Sequence, residues 1–345
     1  MYDFINAKDR SPVDMLKLKG DLGSRQFWRL LYQSGKSEIL MVCLNKEHPN
    51  YTPGHDLEDY VRLSKLLENH GLRVPEIYEY DLKAGICLVE DIGDNTFLKA
   101  LEDGYSNEDL TQRAGHILNK LADLPSETLP DFMSSHIMKG HKRFVDWFCP
   151  VLLGKKVDDA FISGFLEAWD QILNTMPEPA LGFVYVDFHF GNLMLREDPK
   201  QNGGFETVLL DFQGAMRGPL AYDLTNLLQD ARRDVSSDLQ KRVFAQRVAG
   251  LSKDERENFR LWYEVLACQF HCRVIGQFIK LAYLHGKTGH LEHLPRLANY
   301  ISKNSSKNKV LEPLHLWLQK QDIELDGNIE INFKRLPEWI REDAI

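Results

Sequence analysis

The chain has 345 residues, 43% apolar and 27% charged, with 42 Lys+Arg against 51 Asp+Glu for a formal net charge of −9. That composition excludes a mainly disordered chain, and the acidic balance argues against a protein whose main work is coating nucleic acid or an anionic membrane. The first twenty residues lack the apolar core of a secretory leader, and the apolar run 262–284 is broken by Glu264, Gln269, Arg273, Gln277 and Lys280. The five cysteines are odd in number and scattered, so a cytoplasmic chain with reduced thiols and no membrane span is expected.

Phe27, Leu30 and Leu31, followed by the run 37–44 (SEILMVCL), predict two paired strands joined near Ser34-Gly35. After a stretch rich in turn formers (46–55), the apolar spacing predicts a helix from Asp56 to about His70. Asp56 serves as its N-cap and Gly71 as its stop. Residues 85–92 (GICLVEDI) read as another strand. The chain to residue 92 is thus expected to form a small mixed lobe, and 93–345 a larger, mainly helical one.

Within the second part, 161–173 has clear helical spacing, and the interrupted apolar run 262–284 reads as a long buried helix in which Cys268 and Cys272 are core residues. Between these helices, two short apolar runs, 193–195 and 208–210, flank a polar, glycine-containing turn, as a hairpin would. The stretch 303–309 (KNSSKNK) reads as a surface loop.

The hairpin carries the chemistry. VDFHFGN (186–192) stands at its entry and DFQG (211–214) at its exit, and an antiparallel hairpin brings entry and exit together. Asn192 and Asp211 therefore converge, and Asp187 reaches the same mouth from the preceding loop. Two carboxylates and an amide oxygen make a hard oxygen site suited to Mg²⁺, which takes one or two carboxylates and completes its shell with phosphate and water. A D-x4-N followed by D-F-x-G is the pattern of kinase catalytic and metal loops. In that pattern Asp187 accepts the acceptor hydroxyl's proton while Asn192 and Asp211 hold the metal. His189, inside the loop, is read as fixing it by hydrogen bonding.

These runs, VYVDFHFGNLML (184–195) and VLLDFQGAMRGPLAYDLTNLL (208–228), resemble the aminoglycoside phosphotransferase-like superfamily. SRQFWR (24–29), LVEDIGD (88–94), HKRFVDW (141–147) and the segment 276–296 ending in HLPR are similar to the anomeric N-acetylmuramate and N-acetylglucosamine kinases of peptidoglycan recycling. The resemblance spans about 15–300 and implies a two-lobed, protein-kinase-like α+β fold using ATP and Mg²⁺. Residues 1–92 would be the nucleotide lobe and 93–345 the catalytic and substrate lobe.

The resemblance further implies a phosphate-covering turn around Gly23 and Ser24 and a hinge of Glu90, Asp91 and Ile92 that offers backbone groups to adenine. It implies a structural brace at Asp223, and it leaves Arg217 and Trp147 as acceptor contacts, the latter stacking on a pyranose. Two departures stand out. Tyr185 replaces the histidine usual two places before the catalytic aspartate, and the strand 39–43 (ILMVC) has no phosphate-pairing lysine, a cation that Arg25, Arg29 or Lys46 is left to supply.

The expected activity is transfer of a γ-phosphoryl group to a sugar hydroxyl, with a small molecule as the partner and no nucleic acid, membrane or obligate protein partner. The alternatives are another hydroxyl acceptor, such as an aminoglycoside or a choline-like alcohol, and a nucleotide-binding regulator without turnover.

Overall fold

The computed structural model describes residues 11–18, 25–44, 56–198, 204–325, 329 and 331–344. They form two compact units: Met1–Lys120 with Tyr185–Ala215, and Leu121–Val184 with Met216–Ile345. This division differs from the expected boundary at 92. The hairpin 193–209 groups with the N-terminal sheet because the chain bonds it there.

The first unit is built on a five-stranded antiparallel sheet of order β1-β2-β3-β5-β4, comprising β1 (Asp14–Lys17), β2 (Gln26–Leu31), β3 (Ser37–Val42), β4 (Ile77–Asp81) and β5 (Ile86–Glu90). Gly35, at φ 80°, turns the β2–β3 hairpin in a conformation a side chain would resist. Register sorts the side chains by face, since directly opposed residues of an antiparallel pair point the same way. Trp28, Leu40 and Leu88 share one face, where Leu30, Leu40, Ile86 and Leu88 form a buried cluster. Phe27, Met41 and Cys87 share the other, as do Arg29, Ile39 and Val89.

Helix α1 (Leu57–Asn69) lies where its apolar stripe predicts. Asp56 occupies its N-cap position without a side-chain cap bond, and Gly71, at φ 69°, follows its end. After α2 (Phe97–Glu102) and α3 (Asn107–Ala122), the chain leaves this unit and returns to it as the hairpin β7 (Leu193–Glu197) and β8 (Phe205–Leu209). The hairpin is tied at both flanks. The Leu209 amide donates to the Arg73 carbonyl at 2.8 Å, and the Leu195 amide to the Asn95 carbonyl at 2.8 Å. Backbone bonds of this kind cannot be left open in a buried position without a penalty of about 1–3 kcal/mol each.

The second unit contains α4 (Asp159–Thr175), the strand pair β6 (Leu181–Val184) and β9 (Met216–Pro219), α5 (Tyr222–Leu228) and α6 (Ser237–Arg247). Its last three long helices are α7 (Lys253–His285), α8 (Leu294–Lys307) and α9 (Glu312–Lys320). Helix α7 begins well before the apolar run because Ser252 and Glu255 form a reciprocal capping box. The loop expected at 303–309 is mostly the last turns of α8. That stretch has no large apolar residue, yet Ile301 and Ser305 on its inner side are buried, which holds the helix together. The tail beyond 311 packs as α9, with Trp317 meeting the rings of Phe161 and Phe165 edge-on at 4.9 and 5.1 Å. All five cysteines are free and buried. Among the described residues, no helix is long and apolar enough to cross a membrane.

Candidate active site

The site lies within the first unit, around the hairpin's mouth. Just upstream of it, Val186 has φ 78°, and Asp211, just after β8, has φ 63°. A β-branched residue in the left-handed region is an outlier costing about 1–3 kcal/mol, tolerated where surrounding structure over-determines it and concentrated at functional sites.

The loop between is held by its own polar groups. The Asp187 carbonyl accepts from the His189 amide at 3.0 Å and from Asn192 Nδ2 at 3.0 Å, and the Asn192 amide donates to the His189 carbonyl at 2.9 Å. His189 Nδ1 accepts from the Gly191 amide at 3.1 Å, so this histidine ties the loop together, as its sequence position suggested. Because the Asn192 side-chain amide nitrogen is committed to Asp187, its Oδ1 is turned away from that bond and available as an oxygen ligand.

Opposite, the Leu210 amide donates to the Asn192 carbonyl at 2.9 Å, which brings Asp211 beside Asn192. Asp211 Oδ1 accepts from Gln213 Nε2 at 2.7 Å and is also ion-paired to Arg25. The Phe212 ring stacks on Tyr60 of α1, centroids 4.9 Å apart. Tyr185, in the place of the expected histidine, is fully buried, and its hydroxyl donates to the Leu210 carbonyl next to Asp211. The substitution therefore keeps a donor that steadies the exit of β8.

A cavity of about 290 Å³ opens between the sheet and the hairpin mouth. Its apolar wall includes Phe27, Ile39, Met41, Val89 and Leu210, and its polar groups include Arg25, Arg29, Glu90, Asp91, Asn192 and Asp211. Five site residues expected from sequence thus converge: Arg25, Glu90, Ile92, Asn192 and Asp211. Asp187 does not line the cavity and joins it through Asn192. Gly23, Ser24 and Lys46 lie outside the described residues.

Met41, at the strand position where a lysine would pair phosphate, is buried and apolar. Arg25, immediately before β2, lies on the cavity instead, its guanidinium 5.7 Å from the Phe27 ring centroid. Its buried Nε has no hydrogen-bond partner among the described residues. A buried N–H without an acceptor beside a carboxylate and an amide oxygen fits an anionic phosphate with its metal, since such donors are seldom left unmet.

At the far end of the cavity, Arg29 is engaged by Asp91 at 2.6 Å and Asp94 at 2.8 Å; the hydrogen bond to Asp94 holds its guanidinium above the usual range. Glu90 is 9% exposed and ion-paired to both Arg73 and Arg196, and its amide donates to the Glu76 carbonyl at 2.9 Å. The N–H and the carboxylate of Glu90 are therefore both engaged, and its side chain holds the strand end. Burial alone would raise the Glu90 carboxyl, but its bonds to Arg73 and the Glu76 amide, with the charge of Arg196, bring it below the ordinary value. Sequence reasoning missed Arg73 and Arg196 as the partners of Glu90 and Asp94 as a partner of Arg29, because they come from separate segments with no shared motif.

Two further candidates lie in the second unit. Arg217 is half-buried in β9, where its backbone bonds Pro130 and Phe132. Trp147 is 1% exposed, packed on Tyr283 at 5.9 Å with Lys280 Nζ 5.3 Å from its ring. A ring covered to that extent has no free face for a pyranose, so the expected stacking role is withdrawn. Asp223, expected as a brace, is buried in the first turn of α5.

An antiparallel N-terminal sheet, a mainly helical remainder and paired D-x4-N and D-F-x-G ends of one hairpin define a kinase-like α+β phosphotransferase. The chain belongs to the phosphotransferase enzyme family, whose model matches residues 15–262. An N-acetylmuramate/N-acetylglucosamine kinase of Neisseria meningitidis serogroup B is 28% identical over 332 residues, covering 92% of this chain and 92% of that protein. The protein of the same name from Pseudomonas aeruginosa is 26% identical, covering 88% and 87%. Among solved structures, an ADP-bound aminoglycoside phosphotransferase matches with a TM-score of 0.54 at 12% identity, covering 87% of this chain and 95% of that one.

Proposed function

We propose that the protein is a cytoplasmic, ATP- and Mg²⁺-dependent sugar kinase that phosphorylates the anomeric hydroxyl of N-acetylmuramate or N-acetylglucosamine. The observation that carries the reaction type is the convergence of the Asn192 amide oxygen and the Asp211 carboxylate on a cavity that also holds the unmet Nε of Arg25. The acceptor class is supported by the two relatives that match nearly the whole chain.

In this reading Asn192 and Asp211 hold the metal, and Arg25 takes over the phosphate contact that Met41 does not make. The apolar wall of Ile39, Met41 and Val89 receives the adenine, with hinge contacts left to the backbone around Ile92. Mg·ATP, when bound, supplies the phosphoryl group. Asp187 takes the acceptor's hydroxyl proton as the sugar oxygen bonds to γ-phosphorus and the bond from γ-phosphorus to ADP breaks. Chemistry of this kind relies on positioning and charge neutralisation. Cys43 and Cys87 are not candidates for covalent work, since burial pushes their thiols up to about 11 and about 12 and keeps them neutral.

The test is ³¹P NMR with Mg·ATP and, separately, N-acetylmuramate, N-acetylglucosamine, choline and an aminoglycoside. A sugar-1-phosphate signal split by the anomeric proton is expected. A phosphorylated choline or aminoglycoside would replace the substrate and keep the mechanism. Intact ATP in every tube would turn the reading toward nucleotide binding without turnover.

A further inference from the structure

A second cavity, of about 700 Å³, lies wholly within the second unit, where α6, α7 and α8 meet the chain that leaves α5. That volume suits a small organic ligand. Its lining carries the cations Lys241, Arg260, Arg296, Lys303 and Lys307 against the acids Asp234 and Glu264. Each acid is already matched by an arginine, Asp234 by Arg296 at 2.7 Å and Glu264 by Arg260. The lysines hold the surplus charge. Lys303 and Lys307 stand one turn apart on α8 with no acid partner among the described residues, and Lys241 on α6 has the exposed Asp238 at 3.4 Å.

The wall beside these cations is aromatic and rich in donors. Gln229, 6% exposed, accepts at Oε1 from Asn304 Nδ2 at 3.0 Å and donates from Nε2 to the Tyr263 hydroxyl oxygen at 3.3 Å. Tyr263 is 9% exposed, and its own hydroxyl proton has no acceptor among the described residues; nor has that of Tyr300. Burial raises both phenols above the ordinary value, so both stay neutral donors. Their rings are fixed. Tyr300 stacks on His271 with centroids 4.6 Å apart, and Tyr263 meets Phe244 edge-on at 5.2 Å. A buried hydroxyl that donates to nothing within the protein is a donor kept for a ligand, because such groups are seldom left unmet.

We infer that this cavity binds a phosphate monoester of a small ring compound, either a sugar phosphate or a nucleoside monophosphate. Lys303 and Lys307, with the hydroxyls of Tyr263 and Tyr300, take the phosphoryl oxygens, and the half-buried Phe244 offers its ring to the ligand's. Phosphate fits better than carboxylate for two reasons. The planar guanidinium forks that suit a carboxylate are committed to Asp234 and Glu264, and the free lysines are point charges that match a group of nearly two negative charges and three acceptor oxygens. The site stands whether or not the chain phosphorylates a sugar. The reading above enters only in making a sugar 1-phosphate a compound that the chain itself would produce.

The test is calorimetric titration of the full chain, saturated with Mg·AMP-PNP so that the nucleotide cavity of the first unit is filled. N-acetylglucosamine 1-phosphate, AMP and inorganic phosphate are the probes. One ring phosphate is expected to bind with 1:1 stoichiometry and more tightly than inorganic phosphate, and whether it is the sugar ester or AMP identifies the source. Lys303→Gln combined with Lys307→Gln should raise its Kd about tenfold or more, the scale of a charge-assisted bond. Both lysines are exposed, so the unfolding midpoint should not move. Tyr300→Phe keeps the ring on His271 and should raise the Kd about three- to tenfold. No binding of either ester, binding seen only without AMP-PNP, or a Kd unchanged in both variants would overturn the inference. Inorganic phosphate binding as tightly as the esters would also overturn it, leaving an anion site without a ring. Loss of the sugar-kinase reading in the ³¹P experiment would leave these titrations unaffected.

Discussion

The cationic groups of the two units are handled in opposite ways. In the first unit each arginine at the cavity or strand end faces acid: Arg25 meets Asp211, Arg29 meets Asp91 and Asp94, and Arg73 and Arg196 share Glu90. In the second, Arg143 and Arg273 are pressed together with, among the described residues, only a tyrosine hydroxyl bonded to either. A paired arginine fixes geometry before a ligand arrives, and an unpaired one holds binding energy for an anion that the chain does not supply.

The largest effect is expected where positioning meets chemistry. Asp187→Asn should lower turnover by about 10²–10⁴-fold, the range for a lost general base. Nucleotide affinity should hardly change, because Asp187 lies off the cavity. Turnover by coupled assay and ATP binding by calorimetry check the two halves, and a parallel loss of both would show that the loop had collapsed.

Next comes the paired arginine itself. Arg25→Gln removes the charge facing Asp211 and, among the described residues, the only arginine that sits both on the cavity and beside the hairpin mouth. KM for ATP is expected to rise about ten- to a hundredfold with a smaller fall in kcat, consistent with one or two charged hydrogen bonds. An unchanged KM would move the phosphate contact away from Arg25 and weaken the contrast between the units.

Glu90 tests the same contrast through stability. Glu90→Gln removes the closer anion of Arg73 and Arg196, leaving them Glu206 at 3.6 and 3.7 Å, and should cost about 1–2 kcal/mol, an unfolding midpoint lower by about 2–8 °C. Its folded-state pKa is below the unfolded value, so its contribution is fully present above about pH 4.3 and lost as pH falls through the folded value. The variant should therefore lose less stability on acidification than the wild type.

How much of this could be read from sequence follows from range. The β2–β3 and β7–β8 hairpins and α1 were legible because turn formers and apolar spacing lie within a few residues of each other. Strands β1 and β4 were not: they are sheet edges whose side chains are mostly exposed, so DMLK shows no apolar alternation and the alternating tyrosines of IYEYD, Tyr78 and Tyr80, are exposed rather than core. Strands β6 and β9 pair across more than thirty residues and leave no local trace. At the site, Asn192 and Asp211 were placed by one hairpin's geometry. The clamp of Arg73 and Arg196 on Glu90 needs three segments to meet, and the Arg143–Arg273 approach depends on two distant glycines, Gly140 and Gly276. Trp147 was misread for a related reason. An aromatic in a sugar-kinase-like segment suggests stacking, and only tertiary packing reveals that Tyr283 and Lys280 already cover it.

The smallest effect concerns Tyr185, where the chain departs from its superfamily. Its hydroxyl bonds the Leu210 carbonyl, and its ring meets Phe188 edge-on at 5.4 Å. Tyr185→Phe keeps the ring and deletes one buried hydrogen bond, so stability should fall by about 1 kcal/mol, read from the denaturant midpoint at constant slope. Turnover should fall by less than about tenfold, because the Arg25 and Gln213 contacts still orient Asp211. A loss approaching that of Asp187→Asn would mean that the tyrosine acts on Asp211 directly. Positioning would then rest on the hydroxyl at Leu210, and the arginine pairs of the first unit would be secondary to it.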